Sequence, residues 1–191
     1  MNDLSDKIVA TRMNLAYRIV DHIRNETSDL GDAPMRNDPS VYTDPARFAA
    51  EQQILFRETP VVVCLSVELA EPGQYRVFDE TGVPIVVVRG ADGVLRAFLN
   101  ICTHRGARLV RDGQGRQKRF TCWFHGWTFD STGKLLAAPE KERFADCIAE
   151  RDHLIEVPCG ERSGLVFVQA TPGSTMDLDA HLGDFAGVLD I

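Results

Sequence analysis

Two short stretches in the middle of the chain are the most informative part of its sequence, "CTHRG" at residues 102–106 and "CWFHGW" at residues 122–127. Each stretch carries one cysteine and one histidine, separated by one residue in the first and by two in the second. Thiolates and imidazoles are preferred protein ligands of zinc and of iron. The pattern therefore predicts a metal site whose four candidate ligands are Cys102, His104, Cys122 and His125.

Two kinds of metal site fit this ligand set. A tetrahedral structural zinc takes two cysteines and two histidines, which would make the chain a zinc-binding interaction module. Zinc fingers, however, usually take both cysteines from one turn and both histidines from another. Here each stretch supplies one of each, which favours a Rieske-type [2Fe-2S] cluster with two cysteines on one iron and two histidines on the other.

Length, charge and cysteine count narrow the class of protein. A chain of 191 residues can bury one substantial core, and its net charge of −7 argues against nucleic acid or an anionic membrane as the main partner. No apolar run approaches the ~20 residues of a membrane span, and charged residues interrupt the N-terminal region, so we expect a cytoplasmic protein. Five scattered cysteines do not suggest a disulfide framework, and Cys64, Cys147 and Cys159 are predicted to be structural.

The order of elements predicts a mainly β protein with an N-terminal helical extension. Apolar residues at helical spacing predict an amphipathic helix over residues 5–25, packed on the body of the protein or on a second subunit. A loop over 27–45 and a short helix over 45–56 follow. Closely spaced antiparallel strands are then predicted within residues 60–67, 74–79, 83–89, 94–99, 126–130, 134–137 and 153–170.

Longer stretches around the candidate ligands resemble one family. "NICTHRGARL", "CWFHGWTFDSTGKL" and the strands of residues 68–100 are similar to the N-terminal Rieske portion of the large (α) subunit of Rieske non-haem iron aromatic-ring-hydroxylating oxygenases. The resemblance implies a Rieske-type antiparallel β-sandwich with a small cluster-binding subdomain at about residues 100–130. It also implies that Cys102 and Cys122 hold the buried iron, and that His104 and His125 hold an outer iron and reach the surface.

Three domains follow from this resemblance. Residues 1–55 would be the helical extension, residues 56–172 the Rieske domain, and residues 173–191 a tail that leads toward a catalytic domain. In the family that domain holds a mononuclear Fe(II) on two histidines and a carboxylate. Asp177 and His181 are the nearest approach to this triad, and no second histidine follows them.

The resemblance also implies partners and a reaction. A ferredoxin or flavin reductase would supply electrons, and the oxygenase catalytic domain of a neighbouring α subunit, in a possible trimer, would use them to hydroxylate an aromatic or similar apolar substrate with O₂. The chain alone would only transfer electrons. The alternative is a free-standing Rieske ferredoxin-type carrier.

Residues beside the ligands indicate a low reduction potential. High-potential Rieske proteins carry two further cysteines and a serine that hydrogen-bonds the cluster, at positions occupied here by Ala107, Phe124 and Trp127. Fewer hydrogen bonds to the cluster disfavour its reduced state, which places the potential near the bottom of the range of about −150 to +300 mV. The nearby aromatic side chains are expected to shield the cluster from water. Arg105 and Arg108 are expected to be solvated or to contact a partner's carboxylates.

Overall fold

The computed structural model describes residues 2–31, 33–111, 113–139, 142 and 148–189. Within these residues, no helix is both long and apolar enough to cross a membrane. Cys147 lies outside the described residues, so the structure does not test its predicted structural role.

The described elements follow the predicted order, with helices at both ends and strands between them. The α-helices are α1 (Asn2–Asn25), α2 (Pro45–Ile54), α3 (Leu178–Leu182) and α4 (Ala186–Leu189). The strands are β1 (Val61–Leu65), β2 (Gln74–Phe78), β3 (Ile85–Arg89), β4 (Leu95–Leu99), β5 (Gln114–Arg116), β6 (Arg119–Thr121), β7 (Thr128–Asp130), β8 (Leu135–Ala137), β9 (Glu156–Val157), β10 (Cys159–Arg162) and β11 (Leu165–Val168).

The strands form three antiparallel sheets, which confirms the predicted mainly β, antiparallel architecture. A five-stranded sheet has the order β5-β2-β3-β4-β9, and a three-stranded sheet has the order β1-β11-β10. A second three-stranded sheet, β6-β7-β8, carries one of the two cysteine–histidine loops. Strands β5 and β6 were not predicted, because they are only three residues long and charged. Both segments become strands because they form backbone hydrogen bonds with β2 and β7, respectively.

Strand β3 explains how one sheet supports two cores. Its four residues from Ile85 to Val88 are all 0% exposed. Successive side chains of a strand point to opposite faces. Ile85 and Val87 accordingly join the core beneath β1 and β11, while Val86 and Val88 join the core beneath the cysteine–histidine loops. The uninterrupted apolar run in this strand therefore marks a layer that is covered on both faces.

The N-terminal extension lies largely outside both cores. Helix α1 contacts α4, but Val9, Met13, Val20 and Ile23 along its apolar stripe are each more than 40% exposed. The predicted helix is therefore present, whereas the body of the protein does not cover its apolar side. Helix α2 begins after Asp44, whose carboxylate accepts a hydrogen bond from the backbone N–H of Ala46.

Candidate metal centre

The first cysteine–histidine loop connects β4 and β5 and closes on its own backbone. The N–H of Gly106 donates to the carbonyl of Cys102 at 2.8 Å, and the N–H of Cys102 donates to the carbonyl of Ala107 at 2.7 Å. Gly106 has φ of +71°, a conformation that costs little only for glycine. The loop is therefore a tight turn that fixes Cys102 at its base and presents His104 near its tip.

The second loop connects β6 and β7 and repeats the same hydrogen bonds. The N–H of Gly126 donates to the carbonyl of Cys122 at 2.9 Å, and the N–H of Cys122 donates to the carbonyl of Trp127 at 2.7 Å. Gly126 has φ of +72°. The two loops therefore have matching backbones, although their histidines lie at different distances along the chain from their cysteines.

The two cysteines meet in the interior. Cys102 and Cys122 are 2% and 3% exposed, form no disulfide, and bring their thiols into hydrogen-bonding contact. Burial is the main cause that raises the pKa of Cys102 to about 11, and the nearby Cys122 adds to it. The backbone N–H groups of His104 and Arg105 donate toward the Cys102 sulfur and oppose this rise. The same two N–H groups would stabilise a metal-bound thiolate.

The two histidines also meet each other. The rings of His104 and His125 lie edge to face, with centroids 4.7 Å apart. His104 is only 7% exposed, whereas His125 is half-buried. Burial lowers the pKa of His104 most, followed by the charges of His125, Arg105 and Arg151. The expectation that both rings reach the surface is therefore wrong for His104.

The donor set consists of a thiol pair and an imidazole pair. Within the part of the chain that the structure describes, no three His, Cys, Asp or Glu side chains converge as ligands of one metal ion. The observed pairing of thiol with thiol and ring with ring matches a binuclear cluster, in which each iron takes two protein ligands of one type. The residues therefore fit a Rieske cluster.

Aromatic side chains around the loops divide into a buried set and an exposed set. Trp127 is 1% exposed and stacks on His104, with ring centroids 4.9 Å apart and planes 10° apart. Trp123 and Phe124 are 59% and 53% exposed. Of the three aromatic residues in the second loop, only Trp127 covers the histidine pair from water. Trp123 and Phe124 face solvent.

One contact to the first loop was not predicted from sequence. Arg151 donates from Nη1 to the carbonyl of His104 at 2.9 Å, and Thr103 Oγ1 donates to the carbonyl of Arg151 at 2.8 Å. These two hydrogen bonds, which we call the Arg151 latch, join Arg151 to residues 47 and 48 positions earlier in the chain. No local pattern around Arg151 signals this role, because the contact forms only when the segment after β8 packs against the loop.

The remaining histidines, His22, His153 and His181, belong to neither cysteine–histidine loop. His22 bonds Thr27 and Asp29 near the end of α1, and His153 bonds Asp152. His181 lies on α3, where Asp177 caps the helix by accepting from the N–H of Ala180. Asp177 therefore has a structural partner on its own helix.

Comparisons with known proteins agree with this geometry. The family described as Rieske [2Fe-2S] domain matches residues 59–159. The carnitine monooxygenase oxygenase subunit of Escherichia coli (strain K12) is 37% identical over 150 residues, covering 78% of this chain and 40% of the relative. The chlorobenzene dioxygenase subunit alpha of Cupriavidus sp. (strain PS12) is 31% identical over 156 residues, covering 81% of this chain and 34% of the relative.

Solved structures give the same result. A quaternary ammonium Rieske monooxygenase matches with a TM-score of 0.73 and 32% identity, over 79% of this chain and 42% of that one. Naphthalene 1,2-dioxygenase matches with a TM-score of 0.70 and 29% identity, over 78% of this chain and 34% of that one. The chain thus spans about two fifths or less of these relatives. It belongs to the Rieske [2Fe-2S] domain family and corresponds to the N-terminal Rieske portion of oxygenase α subunits.

Proposed function

We propose that Cys102 and Cys122 bind one iron of the Rieske cluster and that His104 and His125 bind the other. The observation that carries this assignment is the pairing of the side chains, with the two thiols in contact and the two imidazole centroids 4.7 Å apart. When bound, the cluster supplies one-electron transfer at a potential set by its hydrogen bonds and burial.

The surroundings of the cysteine pair differ from those of the histidine pair. The backbone N–H groups of His104 and Arg105 hold the sulfur of Cys102 as an acceptor, and Trp127 keeps water from His104. His125 is the more exposed of the two histidines, so it is the imidazole that a redox partner could approach. A low potential is expected, because Trp127 occupies the place of the hydrogen-bonding serine found in high-potential relatives.

The wider function we propose is that of the Rieske part of an oxygenase α subunit. Residues 1–55 are its helical extension, residues 56–172 its Rieske domain, and residues 173–191 lead toward a catalytic domain with a mononuclear Fe(II). Electrons come from a ferredoxin or flavin reductase in the cytoplasm and pass to the catalytic domain of a neighbouring α subunit, in a trimer. A solved structure of a quaternary ammonium Rieske monooxygenase has given insight into inter-subunit electron transfer in that protein, which supports this arrangement.

The substrate of such an oxygenase is an aromatic or similar apolar compound. The relatives named as chlorobenzene and benzene dioxygenase subunits support this class. The carnitine monooxygenase subunit, at 37% identity, supports a quaternary ammonium substrate as a second candidate. The residues that would choose between them belong to the catalytic domain.

A redox titration of the purified chain tests the assignment. We expect two irons and two acid-labile sulfides per chain, a red-brown colour, a reduced-state EPR signal with a low average g, and a low midpoint potential. A midpoint above about +100 mV would contradict the oxygenase type, given the range of about −150 to +300 mV for Rieske centres. A colourless protein with one zinc per chain would contradict the cluster itself.

A further inference from the structure

The two cysteine–histidine loops differ in the strand pairing at their bases. The second loop lies between β6 and β7, which pair over three consecutive residues of each strand. At the base of the first loop, pairing within the described residues is limited to one isolated bridge, between Ile101 and Arg108. The backbone N–H of the preceding Asn100 donates instead to the carbonyl of Pro84 at 2.7 Å. The backbone therefore closes the first loop less completely than the second.

The side chain of Asn100 supplies the pairing that the backbone does not make. Its Nδ2 donates to the carbonyl of Val110 at 2.8 Å, and its Oδ1 accepts from the N–H of Val110 at 2.8 Å. A side-chain amide offers the same donor and acceptor as a peptide group, so it can stand in for one residue of an opposing strand. Asn100 is 0% exposed and Val110 is 5% exposed. We call these two buried hydrogen bonds, which join residues 10 positions apart, the Asn100 clamp.

Arg108 supports the same carbonyl from the other side. Its Nε donates to the carbonyl of Val110 at 3.1 Å, and its Nη2 pairs with Asp79 at 2.6 Å. The guanidinium is thus engaged within the chain, and it ties the end of the first loop to the turn that follows β2. The carbonyl of Val110 therefore receives two donors, of which the amide of Asn100 makes the shorter hydrogen bond.

The clamp is connected to the first cysteine through the loop itself. The carbonyl of Ala107 accepts the N–H of Cys102 at 2.7 Å, and Cys102 and Val110 lie in the same core. Within the loop, the backbone N–H groups of His104 and Arg105 donate toward the sulfur of Cys102. The direction of those N–H groups depends on the shape of the loop, and the shape depends on how its two ends are held.

We propose that Asn100 is a positioning residue for electron transfer, which holds the first loop in the shape that keeps two backbone N–H groups on the sulfur of Cys102. Hydrogen bonds to a ligand sulfur stabilise the reduced, more negative cluster more than the oxidised one. Asn100 therefore raises the reduction potential by acting through the loop. This inference rests on the proposed ligand assignment and adds a residue that helps to set the potential.

The first test replaces the amide by an apolar side chain of similar size. Asn100→Leu leaves the buried N–H of Val110 without this partner and removes one donor from its carbonyl. We expect the variant to bind the reduced cluster about tenfold more weakly relative to the oxidised one, which for one electron is a fall in midpoint potential of about 59 mV. A redox titration of the cluster-loaded chain would measure it. A purely structural role would destabilise both redox states equally, so lower stability with an unchanged potential would overturn the proposal.

A matched control is available at the turn between β2 and β3. Thr81 is also 0% exposed, and its hydroxyl accepts from the N–H of Val83 at 3.3 Å and donates to the carbonyl of Val83 at 3.2 Å. Thr81→Val removes the same number of buried hydrogen bonds to one residue's backbone, outside both loops. It should lower stability and leave the potential unchanged. An equal fall in potential in both variants would assign the effect to general loosening and overturn the role of Asn100.

A milder variant decides the case in which Asn100→Leu binds no cluster. Asn100→Ser retains one hydroxyl and should lower the potential by less than Asn100→Leu. In deuterated water, electron–nuclear double resonance of the reduced cluster should show weaker couplings to exchangeable hydrogens than in the wild-type chain, whereas Thr81→Val should show wild-type couplings. Wild-type couplings and potential in Asn100→Ser would overturn the inference. A wild-type chain that binds no cluster would overturn the ligand assignment itself, which separates the two failures.

Discussion

The two cysteine–histidine loops share one backbone arrangement and have opposite surroundings. In each loop, a glycine with φ near +70° donates its N–H to the cysteine carbonyl four residues earlier. The first loop is held from outside by the Arg151 latch, and its histidine is buried beneath Trp127. The second loop places Trp123 and Phe124 in solvent beside a half-buried His125. Two loops with the same backbone can therefore differ in role: the first is fixed by contacts with a distant segment, and the second leaves its histidine accessible to solvent.

The largest effect is expected when the cysteine of either loop is replaced. Cys102→Ala and Cys122→Ala should each abolish the visible absorption and the bound iron, because in the proposed cluster both sulfurs would hold the same iron. Iron analysis and absorbance after reconstitution would measure the effect. Cys64→Ala, which changes a buried cysteine in the other core, is the control and should keep the cluster. If either variant still bound two irons, the replaced cysteine would not be a ligand of the cluster.

The two tryptophans of the second loop should differ strongly in their effect on stability. Trp127→Ala should reduce the free energy of unfolding by about 3–5 kcal/mol, because it empties a fully buried site against His104. Trp123→Ala should cost less than about 1 kcal/mol, the usual size of an exposed cation–π contact such as the one with Arg111. Urea unfolding of the loaded proteins would compare them. Similar losses for both variants would contradict the division into buried and exposed aromatics.

The two loop glycines provide a finer comparison. Alanine at either position should cost about 1–2 kcal/mol, because a side chain disfavours the left-handed conformation. Gly126→Ala should cost more than Gly106→Ala, since an added Cβ would lie 3.3 Å from Pro139 Cγ, whereas nothing lies within 4 Å at Gly106. Thermal melts of both loaded variants would rank them. An equal or reversed ranking would show that Pro139 moves aside without cost.

The smallest expected effect concerns the Arg151 latch. Thr103→Val and Arg151→Gln should each cost about 1 kcal/mol, the usual net value of one hydrogen bond. Arg151→Gln should in addition lower the midpoint potential, because a positive charge near His104 favours the more negative reduced state. Thr121→Val, which removes the 3.0 Å contact with Thr128 beside the second loop, is the control and should leave the potential unchanged. If the midpoint potential of Arg151→Gln were unchanged, the Arg151 latch would have only a structural role.

Much of the fold could be predicted because its signals are local. Turn residues and short apolar runs predicted eight strands, including β3 with its buried apolar run, where the described residues contain eleven; three strands, β9 to β11, lie where one pair was predicted. Strands β5 and β6 were missed because each is only three residues long and lacks an apolar run. Strand β5 is defined by its pairing with the distant β2, and β6 by its pairing with the neighbouring β7. The apolar stripe of α1 was predicted correctly as a helix face. The sequence pattern did not show that this face would remain exposed.

The types of the candidate ligands, their interleaved order and the tight turns that carry them could all be read from the sequence, because each depends on residues close together in the chain. The burial of His104, the accessibility of His125, the contact of Arg151 with the first loop and the Asp79–Arg108 ion pair are visible only in the three-dimensional structure. These features arise from contacts between segments about 30 to 50 residues apart, whose meeting depends on how the sheets pack. The local sequence pattern does not indicate which distant segments will come into contact.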